Sequence, residues 1–357
     1  MEDYLLKITS KKNFNLIIYS VAHFSVDYSC FFILFSGIAD KTSLEITALG
    51  FFIYNIIAFG LQVVIGTICD KKPKFPSGFI GCALVLLGVV IIKWYWLSLI
   101  IAAIGNAFFH IGGGIDVLKN GQGKMTPNGI FVSTGALGVS LGTLSGKGGI
   151  AYIFIPICIM IFMSILTGVI SFTKNESKNN KEVIPYKIAA NKSIVVIVFF
   201  AFLIVILRGY IGTNTPVSWK AVGLMVIVPS ICAAIGKSMG GILGDKFGGR
   251  KVGVVSLLLS ILCFIVGKEI VFIGLLGIVL FNITMPITLC ILASKLPNDL
   301  GLAFGITTLG LVIGVIPSFF AIVPDNFKLY ITIFLIIVSA IFLRIIAIDE
   351  IEDKVGI

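Results

Sequence analysis

The sequence predicts an all-α polytopic membrane protein with twelve transmembrane helices in two six-helix bundles. Three observations predict it. Apolar residues fill 58 % of the 357 positions, charged residues only 12 %, and the mean hydropathy is +1.10, a balance that no water-facing surface tolerates. Nearly unbroken apolar runs at 194–210, 252–266 and 331–343 approach the roughly 20 residues that cross ~30 Å of hydrocarbon. A set of signature residues recurs half a chain apart. Alternation of polar and apolar residues is absent, so the spans are helices and not strands of a barrel.

Taken in order, the polar breaks place spans near 14–38, 46–69, 76–93, 96–116, 128–145 and 150–172. A second six follow near 194–214, 221–243, 251–267, 269–294, 301–323 and 327–348. The first thirteen residues are polar and basic, and the apolar run behind them is longer than a signal-peptide core and has no small-residue cleavage site. The first span is therefore expected to be retained. The seven cysteines (Cys30, Cys69, Cys82, Cys158, Cys232, Cys263, Cys290) form no CxxC pair and have no clustered His partners. They read as packing residues, with no disulfide framework, metal site or cofactor expected.

The net charge of +10 follows the loops and does not indicate nucleic acid. Of the 27 Lys and Arg, 19 fall on one face, six on the other, and Arg208 and Lys237 lie inside spans. The positive-inside bias puts both termini and the central loop in the cytoplasm, which requires an even number of crossings. A multi-pass plasma-membrane location follows. The polar stretch KNESKNNKEVIPYKIAANKS divides the chain near its midpoint, giving an N-terminal bundle at 1–172, a cytoplasmic linker at 173–193 and a C-terminal bundle at 194–357.

Internal repetition supports that division. Gly66, Asp70 and Lys71 recur as Gly241, Asp245 and Lys246, 175 positions later. Pro127-Asn128 with Gly135 recurs as Pro297-Asn298 with Gly305, 170 positions later. Two six-helix repeats are a recurrent transporter architecture, with the substrate site between them near mid-membrane.

The stretch GGILGDKFGGRK at 240–251 resembles the loop signature of the major facilitator superfamily, with Gly249 where a basic residue is usual and Arg250 and Lys251 after it. The first-half copy, GTICDKKPK, has Pro73 where a glycine would stand. The resemblance implies the two-bundle fold and rocking alternating access, with Gly66, Asp70, Lys71, Gly241, Asp245, Lys246, Arg250 and Lys251 acting as a conformational latch. Physically, the glycine lets two helix ends approach, and the acid accepts hydrogen bonds from a neighbouring helix N-terminus and pairs with a base. Two further segments, His23-Phe24-Ser25-Val26-Asp27 and Phe109-His110 followed by glycines, are similar to the fosmidomycin-resistance branch of exporters.

Polar side chains at membrane depth are functional candidates by default. Asp27 is the acid deepest within a span. His23 lies one turn away on the same face, which suits either a proton-coupling pair or a structural pair tying the first helix to a neighbour. Arg208 lies about as deep in the seventh span as Asp27 in the first, and the resemblance implies that both helices line a central cavity. The two are expected to face each other as an ion pair or around an anion, unless Arg208 snorkels outward. Lys237 is a second cavity cation or an inner-surface anchor. Asn106 and His110 lead into Gly112-Gly113-Gly114, a gate hinge or a close helix crossing. Asn282 precedes Pro286, which removes a backbone hydrogen bond and frees a carbonyl. Glycine faces in the fifth span (Gly135, Gly138, Gly142) and the eleventh (Gly301, Gly305, Gly310, Gly314) permit tight crossings, and the resemblance implies that they slide at the interface between halves.

No nucleophile elbow, P-loop or zinc-spaced motif is present, so an enzyme is not expected, and energy comes from a gradient. The expected activity is secondary transport of a small organic solute by a monomer, with an anion slightly favoured and coupling to protons or by exchange. The alternatives are a proton-coupled exporter of cationic or neutral compounds and, less favoured, a non-transporting receptor on a carrier fold.

Overall fold

The computed structural model describes residues 2–39, 44–173, 186–217, 227–320 and 323–349. It is helical throughout, and the β-pairing among the described residues is a single antiparallel bridge between Ala189 and Ala347. The helices are α1 (Glu2–Ile33), α2 (Leu44–Asn55), α3 (Gln62–Lys71), α4 (Ser77–Val90), α5 (Tyr95–Gly121), α6 (Thr126–Lys147) and α7 (Phe154–Thr173) in the first half. The second half has α8 (Ile194–Thr213), α9 (Val228–Phe247), α10 (Gly249–Gly267), α11 (Val271–Asn282), α12 (Thr284–Lys295), α13 (Leu300–Val315), α14 (Pro317–Phe320) and α15 (Asp325–Ile346).

Ten segments among the described residues are long and apolar enough to cross a membrane. Two helices fall short of that test and take up the third and eighth places. They are the 14-residue α4 and α9, whose turns carry Lys237, Asp245 and Lys246. The start of the eighth expected span, at 221–226, lies outside the described residues.

Three expected spans are broken helices. The second passes through a π turn at Ile56–Gly60 between α2 and α3. The tenth is interrupted at Ile283, three residues before Pro286, whose ring cannot donate back to the Asn282 carbonyl. The eleventh breaks ahead of Pro317. Conversely, α3 and α9 run past the expected ends at 69 and 243, so Asp70 and Asp245 sit on the last turns of helices and not in loops. A Gly-x-x-x-Asp spacing on a helix stacks both residues on one face.

The two halves pack alike. In the first, α1 lies along α6 and α4 along α5; in the second, α8 lies along α13 and α10 along α11. Across the halves, α6 meets α9 and α3 meets α13, which pairs the fifth span of each half with the second span of the other. After the undescribed residues 174–185, the chain runs extended. Ala190 N–H donates to the Ile346 carbonyl at 2.8 Å and Ile348 N–H to the Ile188 carbonyl at 2.8 Å, so the end of the linker is bound to the chain that leaves α15.

The glycine faces act mostly within halves. A Cβ on Gly138 or Gly142 would run into the Phe24 or Tyr28 carbonyl of α1, and one on Gly314 into the Ile206 carbonyl of α8. Gly301 and Gly305 alone of the named set face the other half, at Gly66 and Val63 of α3. Among the named glycines, those at the interface between halves are therefore the ones on the first turns of α13. The Gly112–Gly114 run is no hinge in this conformation, because α5 continues unbroken through it to Gly121. A side chain at Gly112 would strike the Gly78 backbone, and one at Gly114 would lie 2.5 Å from the Phe304 ring.

Candidate functional site

At the lysine-rich end of the bundle the halves are joined twice by the same device. The Asp70 carboxylate accepts from the Gly301 and Leu302 backbone N–H groups at 2.8 and 2.9 Å, on the first turn of α13. The Asp245 carboxylate accepts from Met125 N–H at 2.7 Å, from Thr126 N–H at 2.9 Å and from the Thr126 hydroxyl, on the first turn of α6. Helix N-termini leave such donors unsatisfied and favour negative charge. Gly66 and Gly241 allow the approach, since a Cβ on Gly66 would overlap the Gly301 carbonyl and one on Gly241 would lie 2.7 Å from the Met125 carbonyl.

The expected acid–base pairing differs. Both acids are capped by backbone, Lys71 and Lys246 are exposed, and Arg250 pairs instead with Asp349 at 3.4 Å. Lys251 contributes its N–H to the same Asp349 carboxylate at 3.1 Å. The turn into α10 is thus tied to the chain after α15.

Deeper in the first half, four polar side chains converge. Asp27 and His23 face each other one turn apart on α1, Oδ2 to Nε2 at 3.3 Å. From α5, Asn106 Nδ2 donates to Asp27 Oδ1 at 2.8 Å, and His110 Nε2 lies 3.8 Å from the same oxygen. His23 Nδ1 donates to the Phe131 carbonyl of α6 at 2.8 Å, and His110 Nδ1 to the Asn106 carbonyl at 2.9 Å. All four side chains are buried, and Gly135 of α6 closes over them: a Cβ there would overlap both Asp27 Oδ2 and His23 Nε2. The imidazole rings of His23 and His110 meet edge to face with centroids 4.4 Å apart.

The second polar locus is a cavity of about 460 Å³ between the halves. It is lined from the first half by residues such as Asn55, Phe59 and Ala136, and from the second by Arg208, Lys237 and Asn282. It draws on the C-terminal turns of α8 and the N-terminal turns of α9, so it lies at the end of the bundle remote from the Asp70 and Asp245 junctions. Among the described residues its lining holds two cations and no carboxylate. Arg208 is buried and does not snorkel. Its guanidinium donates from Nη1 to Thr288 Oγ1 at 3.0 Å and from Nη2 to Thr284 Oγ1 at 2.7 Å, while Nε has no hydrogen-bond partner. Lys237 is half-buried and lies within electrostatic reach of both Asp27 and Arg208. Asn282 donates to the Ile278 carbonyl at 2.9 Å.

The expected direct pairing of Asp27 with Arg208 is not formed. Each finds its polar partners inside its own half, Asp27 on α1 and α5, Arg208 on α12. Helix α6 turns its glycine face to the Asp27 cluster and Ala136 and Val139 to the cavity, standing between the two.

Sequence reasoning treats His23 with Asp27 and Asn106 with His110 as two separate pairs; the fold makes them one cluster. It misses Thr284 and Thr288, whose four-residue spacing on a helix is the available signal, and Tyr186. That tyrosine, from the linker, is buried, donates to the Leu118 carbonyl at 3.0 Å and accepts from Asn128 Nδ2 at 3.0 Å.

No family profile and no curated protein sequence matches the chain. Solved structures do. A major facilitator superfamily transporter, FucP, in the outward conformation superposes with a TM-score of 0.64 at 14 % identity, covering 90 % of this chain and 97 % of that one. A single-residue variant of the E. coli fucose:proton symporter FucP gives 0.62 at 13 %, covering 92 % and 97 %. A bacterial homologue of the iron transporter ferroportin, in its outward-facing state, gives 0.62 at 12 % identity, covering 93 % and 98 %. The chain thus has the major facilitator fold over nearly its whole length.

Proposed function

We propose that this protein is a secondary transporter that moves a small organic anion across a bacterial plasma membrane by alternating access. The carrying observation is the cavity between the halves, whose described lining holds Arg208 and Lys237 and no carboxylate. A buried cation without a counter-ion is costly, and an anionic solute relieves that cost. The guanidinium fork held by two threonines suits a carboxylate or phosphonate. The same lining disfavours the exporter of lipophilic cations.

The junctions at Asp70 and Asp245 support the latch reading. They close the lysine-rich end, which we place in the cytoplasm with both termini, and the cavity lies toward the opposite face, as befits an outward-facing state. The two repeats, bounded near 172 and 194, would rock about this site as a monomer, driven by a proton gradient or by exchange. The fucose:proton symporter of like fold supports proton drive.

Proteoliposome uptake tests the reading with a panel of radiolabelled carboxylates, phosphonates and lipophilic cations. An anion should be taken up, and Arg208→Gln should lower its uptake by about 10- to 100-fold, the worth of one or two charge-assisted hydrogen bonds, with Lys237→Gln less severe. Uptake of cations alone, or full anion uptake by the Arg208 variant, overturns the assignment.

A further inference from the structure

The cluster behind α6 has a chemistry that the anion cavity does not use. Both Nδ1 atoms, of His23 and of His110, lie against backbone carbonyl oxygens at 2.8 and 2.9 Å. A carbonyl only accepts, so each Nδ1 must carry its proton. That commitment fixes both tautomers and turns both Nε2 atoms toward the Asp27 carboxylate, one at 3.3 Å and one at 3.8 Å. Two imidazole lone pairs and a carboxylate therefore point at one buried locus. Asn106, fully buried and bonded to Asp27 through Nδ2, leaves its Oδ1 without a hydrogen-bond partner.

Such a convergence of electron pairs requires a positive centre. One shared proton bridges His23 Nε2 and Asp27 Oδ2, but it leaves His110 Nε2 facing the other oxygen beyond hydrogen-bond range. A divalent ion satisfies all three donors at once. The three donor atoms lie within 4.8 Å of one another. Bonds of ~2.0–2.2 Å to nitrogen and oxygen in tetrahedral geometry require donor separations of roughly 3.3–3.6 Å; the His23 Nε2 to Asp27 Oδ2 distance of 3.3 Å already fits, and His110 Nε2 approaches the other oxygen of the same carboxylate. The Nδ1–H to carbonyl contacts are the outer-shell arrangement that orients metal-binding histidines.

We propose that His23, Asp27 and His110 form a buried site for a first-row divalent metal ion. The set of two imidazoles and one carboxylate suits ions of the Mn²⁺ to Zn²⁺ series, whereas Mg²⁺ and Ca²⁺ require oxygen-rich cages. The residues come from α1 and α5, so an ion bound here ties the first and fourth spans together, beneath the lid that Gly135 provides. No cavity-lining residue is a ligand of this site.

The test uses the purified full chain in detergent, freed of metal by chelation and titrated with Co²⁺, Zn²⁺ and Mg²⁺ without any organic anion. One Co²⁺ per chain is expected, with the visible ligand-field bands of nitrogen coordination, displaced by Zn²⁺ and not by Mg²⁺. His23→Gln and His110→Gln should each weaken binding by more than about 100-fold, since even outer-shell losses cost ~10–100-fold. Arg208→Gln, and Cys158→Ser, which removes the exposed thiol, should bind as the wild type does. Absence of stoichiometric binding by the wild-type chain overturns the proposal whether or not the histidine variants fold. So does binding that survives His110→Gln, or that Cys158→Ser abolishes. Because no anion is present, failure here leaves the anion-transport reading standing, and failure of anion uptake leaves this site standing.

Discussion

The two halves of the molecule put opposite charges at equivalent places. In the first half, Asp27 on the first span meets Asn106 and His110 on the fourth. In the second, Arg208 on the seventh span meets Thr284 and Thr288 on the tenth. The helix packing of the two halves is alike and the side chains differ. Asp27 is enclosed by its own neighbours and roofed by Gly135, while Arg208 borders an open cavity with its Nε unpaired. The closed cluster is the site proposed for a cation, and the open basic wall the one proposed for an anion.

The contrast is testable by perturbing the closed side and the open side separately. The largest effect is expected from Asp27→Leu. It strands two histidines and an asparagine in the core, and breaking a buried polar set in this way costs roughly 3–5 kcal/mol. The thermal unfolding midpoint in detergent should fall by well over that of Arg208→Leu, whose threonine partners keep alternative acceptors in the Phe281 carbonyl of α11 and the Thr284 carbonyl of α12. Equal losses would show that the two loci are equally structural.

Gly135→Ala comes next. The added methyl overlaps the Asp27 and His23 side chains, and overpacking of a filled core costs about 1–3 kcal/mol. A lowered midpoint with anion uptake preserved is expected, because the neighbouring residue, Ala136, and not Gly135, faces the cavity. The mildest change is Thr284→Val, which removes one hydroxyl from Arg208. At about 1 kcal/mol for the hydrogen bond, the apparent KM for the anion should rise roughly fivefold with little change in midpoint. A drop in midpoint without a change in KM would place Thr284 in the scaffold alone.

Much of this molecule is legible in its residue order. The spans follow from apolar runs, the repeat from Gly66 and Asp70 matched to Gly241 and Asp245, and the buried polar residues from their rarity. Helix ends are less legible. Asp70 and Asp245 read as residues at helix ends or in loops; they lie on the last turns of α3 and α9, where the opposite half supplies backbone donors to receive them. Nor do glycine faces announce their partners. Gly135, Gly138 and Gly142 look like an interface between halves and serve instead to seat α6 on α1, since a small-residue stripe states only that something comes close.

What the sequence by itself determined is periodicity, charge bias and repetition, all local along the chain or between its copies. These suffice for a helical membrane protein in two related halves. Tertiary structure alone decided which polar groups share a locus. His23 and His110 are 87 positions apart, and nothing along the chain says that both turn Nε2 toward Asp27, because the carbonyls that fix their tautomers belong to Phe131 and Asn106. The same holds for Arg208, whose partners are set by the break at Ile283 that aims Thr284 and Thr288 at it. Sites are made by convergence, and in a helical bundle convergence depends on helix rotation and crossing, which close glycine contacts set to within an ångström.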